Sequence, residues 1–107
     1  MRIQVTAQLT DYEGRKLVEG KDPVTFRRVF ATALNAFDEK DRPTPDKMAQ
    51  IYSLSVKLYS GDEIELTLEE ASLIKEQVGK VYNALVYGRT VDLLEGKSTK
   101  PSRPTKK

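Results

Sequence analysis

From residue 2 to residue 10 the chain alternates strictly. Ile3, Val5, Ala7 and Leu9 fall on one side, and Arg2, Gln4, Thr6, Gln8 and Thr10 on the other. Successive strand side chains point to opposite faces, so this alternation predicts a strand with one buried face. Asp11-Tyr12-Glu13-Gly14 follows, and Asp with Gly at that spacing predicts a hairpin turn with Tyr12 exposed at its tip. Residues 15–19 supply a short return strand carrying Leu17 and Val18, which Gly20-Lys21-Asp22-Pro23 breaks.

The period then changes. Phe26, Val29, Phe30, Ala33, Leu34 and Phe37 recur at helical spacing after Thr25, whose hydroxyl can accept a free N–H of a first turn. Val24 and Val29 sit at the spacing of a hydrophobic staple. After a charged connection at 38–43, Thr44-Pro45-Asp46 combines a capping hydroxyl, a proline at the first helical position and an acid in the first turn. Met48, Ile51, Tyr52, Leu54, Ser55, Leu58 and Tyr59 continue that helix as its packed stripe, and Gly61 is expected as its left-handed cap. Residues 62–66 alternate again and can add a third short strand beside the hairpin. Thr67-Leu68-Glu69-Glu70 fits a capping box. The longest helix is expected to run from it along Ala71, Ile74, Val78, Val81, Tyr82 and Leu85, with Gly88 stopping or kinking it. A short last helix over 89–95 ends at Gly96. Gly79 interrupts the long stripe, either as a local weakness or as a point of close approach by another helix or a partner.

These elements define an α+β class: an N-terminal β-hairpin, with a third short strand at 62–66, packed on three to four helices. At 107 residues the chain has length for one core, placed at 1–96. Charge separates the remainder. Residues 97–107 carry five cations and no acid, whereas the first 96 residues carry 13 cations and 16 acids, a net charge of −3. Two prolines and no apolar anchor predict a disordered basic tail over 97–107. It is read either as a solubilising end or as an electrostatic arm for nucleic acid through Lys97, Lys100, Arg103, Lys106 and Lys107. No run approaches the roughly 18 apolar residues of a membrane span, and the alternating N-terminus is not a signal peptide, so a cytoplasmic location without membrane contact is expected.

Composition removes much reaction chemistry. Cys and His are both absent, and with them go disulfides, thiolate nucleophiles, the commonest metal ligand and the commonest general base. The acidic clusters at Asp38, Glu39 and Asp41, and at Asp62, Glu63, Glu65, Glu69 and Glu70, lack the spacing of a calcium loop. No catalytic residue, cofactor or metal is expected. Arg27 and Arg28 lie in a first helical turn, where the dipole disfavours cations. They are read as a solvated pair or as the landing point of an acidic partner. With Tyr12, Tyr87 and Arg89 they form the candidate partner-binding set. Tyr52 and Tyr59 suit a core rim better than a base-stacking platform.

The C-terminal half carries a resemblance. Residues 66–75 (Leu-Thr-Leu-Glu-Glu-Ala-Ser-Leu-Ile-Lys), then Val78 to Tyr82, Leu85 to Gly88 and Leu93 to Gly96, resemble a pattern in small phage and prophage proteins of unassigned function. The resemblance covers roughly residues 50–96 and rests on a hydrophobic pattern with glycines at 79, 88 and 96 rather than a catalytic motif. It implies a phage-encoded context, in which such small proteins serve as assembly factors or modulators of host machinery. The expected function is therefore non-catalytic interaction with a host or phage protein, with itself as a homo-oligomer, or with both. Nucleic-acid binding through the tail, Arg27 and Arg28 is the alternative.

Overall fold

A computed structural model describes residues 1–40 and 42–96. The tail and its five cations lie outside them, as does Asp41. The class is α+β. Two small antiparallel strand pairs accompany four helices: β1 (Arg2–Gln4), β2 (Val18–Glu19), β3 (Asp22–Pro23), α1 (Phe26–Leu34), α2 (Pro45–Leu58), β4 (Glu63–Glu65), α3 (Leu68–Val81) and α4 (Ala84–Leu94).

The N-terminal alternation keeps its sidedness but not its straightness. β1 stops at Gln4 after pairing with β4, Ile3 opposite Ile64. The chain then turns, because its carbonyls are needed elsewhere. The Phe26 N–H donates to the Ala7 carbonyl at 3.1 Å and the Arg27 N–H to the Val5 carbonyl at 2.8 Å. The Arg28 N–H donates to the Thr25 hydroxyl. A helix leaves its first N–H groups without internal partners, and here the first three of α1 are all satisfied, two of them by the bent N-terminal segment. Ile3, Val5 and Leu9 still reach the core.

Asp11 builds the first turn as its residue type predicts. Its Oδ1 accepts the Glu13 and Arg15 N–H groups at 2.8 and 2.9 Å, and Gly14 takes φ +91°. Gly20-Lys21 does not simply break the return strand. It closes a second tight hairpin, with Glu19 opposite Asp22 and Gly20 at φ +65°, a conformation glycine adopts without steric cost.

Each helix starts on a capping side chain. Thr25, Thr44 and Thr67 accept from the N–H three residues on, and at Thr67 the reciprocal Glu70 bond completes the capping box. The helix ends depart from the sequence expectation in three places. α1 ends at Leu34, so Phe37 lies beyond it, half-buried beneath the Arg42 guanidinium at 5.6 Å. Gly61 is not left-handed; α2 closes at Tyr59, whose N–H returns to the carbonyls of Val56 and Lys57. The long C-terminal helix is two helices. The break falls at Tyr82-Asn83 because the Asn83 side chain caps α4 by accepting the Val86 N–H at 3.0 Å, and Gly88 lies inside α4. Gly96, at φ +76°, ends α4 as expected.

The break lets α4 fold back on α3, and Gly79 permits the approach. A Cβ there would lie 3.2 Å from Cε1 of Tyr87, tighter than ordinary contact. Central to the core are Phe30 and Leu34 of α1, Leu54 and Leu58 of α2, and Ile74 and Val78 of α3, all essentially inaccessible. α4 adds Val86, Leu94 and Thr90. Thr90 is fully buried and its hydroxyl has no hydrogen-bond partner among the described residues. A buried polar group left unpaired is destabilising, and valine has nearly the same shape. Thr90→Val is therefore expected to raise stability by about 1 kcal/mol, or roughly 4–8 °C in Tm for a domain of this size. A lowered melting temperature would show that the hydroxyl has a partner in solution.

Candidate interaction surface

The five residues singled out from the sequence do not converge. Arg27 leaves the first turn of α1 for the end of α2: its Nε donates to the Leu58 carbonyl at 2.7 Å and an Nη to the Gly61 carbonyl at 2.6 Å. Its guanidinium lies 5.1 Å from the Tyr59 ring centroid. The cation is misplaced for its own helix dipole but well placed for the carbonyl end of α2. Arg28 turns the other way, to Glu19 at 2.9 Å and Asp22 at 4.0 Å on the β2–β3 hairpin. Arg89 donates to the carbonyls of Thr10 and Asp11 at 3.0 and 2.5 Å, pinning α4 to the first turn. Beside that clamp Tyr12 is 71% exposed. Tyr87 lies half-exposed over Gly79. The three arginines thus have structural partners within the chain that a sequence cannot display.

The acidic residues are dispersed as well. Glu63 and Glu65 face Arg2 at 3.5 and 3.8 Å across the β1–β4 pair. Glu70 serves its cap and also receives Lys57 Nζ at 2.9 Å. Among the described residues no group of three or more carboxylates is placed to hold a metal, and no helix is long and apolar enough to cross a membrane.

Two carboxyls titrate below their ordinary values. At Asp11 the Arg15 N–H is the main cause, opposed by desolvation and helped by the Glu13 N–H and the Arg15 guanidinium. At Glu70 desolvation is the largest influence and raises the value, but the Thr67 N–H and the Lys57 ammonium together outweigh it. A depressed folded-state pKa contributes stability that is present above the unfolded value, near 4.5 for Glu70, and is lost as pH falls through the folded value. Glu70→Gln keeps the shape of the capping box and removes the charge. It is expected to cost roughly 0.2–1 kcal/mol at neutral pH, as for other partly exposed ion pairs. That gap closes as pH falls through the depressed folded-state value, below which both forms are neutral. Urea midpoints across pH test this; a constant gap would assign the loss to shape rather than charge.

The surface that sequence reasoning misassigned is on α2. The buried face of this helix is Ile51, Leu54 and Leu58. Tyr52 and Tyr59, expected within the packed stripe, lie outside it at 71% and 58% exposure, and Val56 between them is 53% exposed. A second stripe runs beside the core stripe: Pro45, Ala49, Tyr52, Val56 and Tyr59, spaced four, three, four, three. The signal was present in that spacing, but it shares Tyr52 and Tyr59 with a longer apolar pattern that a single stripe absorbs. Large exposed side chains gathered on one helix face distinguish a contact surface from the scattered apolar residues of any protein exterior.

No protein-family model, curated protein or solved structure matches the chain. The surface must be read from its own chemistry.

Proposed function

We propose that the protein is a non-catalytic interaction module of the phage-encoded accessory kind, an assembly factor or modulator that docks another protein on the outer face of α2. The observation that carries this reading is the exposed Tyr52, Val56 and Tyr59 stripe on a helix whose opposite face is already committed to the core. Tyrosine suits such a face, because its ring buries apolar area and its hydroxyl tolerates the wet rim. The same face offers little to nucleic acid: its five stripe positions carry no charge.

A photo-crosslinking residue at Val56, expressed in the full chain in its host, tests the reading. Adducts formed at position 56, and not at the exposed control position Lys16 on the far hairpin, are expected. Recovery of uncrosslinked chain alone at both positions overturns the reading.

A further inference from the structure

We propose that the occupant of the α2 face is a second copy of this chain, with the two α2 helices packed antiparallel about a twofold axis near Tyr52. The proposal rests on the interaction reading above and names its partner.

Three observations carry it. The first is the spacing. Positions 45, 49, 52, 56 and 59 follow the alternating four-and-three step of a coiled-coil seam, carried through two repeats along a helix about 21 Å long. This seam is separate from the Ile51, Leu54 and Leu58 stripe buried in the core, so it is available to a helix from outside.

The second is self-complementarity. A twofold interface sets a surface against itself, so any charge near the axis meets its own like. The seam has no charge. One step beyond the seam positions, on the flank where Ser53 lines a groove shared with Thr67, Glu69 and Glu70, stand Asp46, Ser53 and Ser60. In the antiparallel arrangement Ser53 faces Ser53 of the second copy and Asp46 lies at the level of the other Ser60.

The third is the polarity of the ends. Asp46 marks the N-terminal end of the face, while the Arg27 guanidinium stacks over Tyr59 at the C-terminal end. Antiparallel packing brings the acid-bearing end of each helix to the cation-bearing end of the other and opposes the two helix dipoles.

The absence of cysteine allows a direct test on the full chain, since any introduced thiol is unique. Ser53→Cys is expected to form a disulfide dimer on mild oxidation. Asp46→Cys and Ser60→Cys, each largely monomeric alone, are expected to form the mixed dimer when combined. Without crosslinking, sedimentation velocity is expected to show concentration-dependent dimerisation. Val56→Glu should weaken it roughly tenfold or more, because a carboxylate would be buried in the seam. Its circular dichroism should be unchanged, as Val56 points away from the core.

A 60-to-60 disulfide in preference to the mixed pair overturns the antiparallel arrangement. A chain monomeric at every concentration, with no Ser53→Cys dimer, overturns the second copy as occupant. If residue 56 still crosslinks to another protein in that case, the interaction reading stands without this inference; if it crosslinks to nothing, both fall.

Discussion

Phe30→Ala is expected to remove about 3–5 kcal/mol of folding stability, the range for deleting a buried aromatic ring. A domain of this size holds in total roughly 5–15 kcal/mol, so the variant should lose a large share of its stability. The expectation follows from where α1 lies. It packs against both α2 and α3, and Phe30 is fully inaccessible at its centre, with the Phe26 ring 5.8 Å away. Phe37, half-buried past the end of α1, is the internal control, and its alanine variant should cost far less. Urea unfolding followed by circular dichroism measures both. A Phe30 variant that loses no more than the Phe37 variant would place the centre of the core elsewhere.

The next largest effect is expected at Arg27. Arg27→Met keeps the length of the side chain and its apolar stem but removes both donors to the carbonyls of Leu58 and Gly61. Hydrogen bonds from a charged group contribute about 1.5–3 kcal/mol. A loss of that size is expected, together with faster amide exchange across 58–62, the segment the guanidinium holds. Arg27→Lys should recover only part of it, because a single ammonium lacks the planar fork that reaches two acceptors at once. The measurement also separates two roles. A structural clamp moves the unfolding midpoint, whereas a landing point for an acidic partner would leave stability untouched and change binding alone. Wild-type stability in Arg27→Met would sink the clamp.

The caps show how far local chemistry could be read. Thr25, Thr44 and Thr67 were legible because each precedes a fresh helical stripe and serves N–H groups three residues away. Asn83 is an equally good cap, yet it was passed over. The apolar spacing from Val78 to Leu85 runs on through it at helical period, and Gly88 offers a more conspicuous breaker. Periodicity does not report a change of helix direction when the stripe happens to stay in phase.

The candidate surface divides along the same line. Tyr12 is exposed where a turn tip would put it, since a turn exposes its central residues whatever the rest of the fold does. Arg27, Arg28 and Arg89 were not legible: their acceptors lie 31 to 34, 9 and 78 to 79 residues away. A long cationic side chain carries no mark of where its head comes to rest. Tyr52 and Tyr59 fit two overlapping faces of α2, and only the position of α1 selects which face is covered.

The sequence by itself thus determined the α+β class, the turn glycine at 14, the helix-ending glycine at 96, three of the four caps and which residues of each strand and helix are apolar. These are consequences of residue type and of interactions within a few positions. Tertiary structure decided the rest: the bend of the N-terminal segment toward the free N–H groups of α1, the reversal at Asn83, the internal clamps of the arginines and the exposure of the second α2 stripe. Each depends on which distant groups are left unsatisfied once the helices have packed, and that is a property of the assembled core rather than of any short stretch of chain.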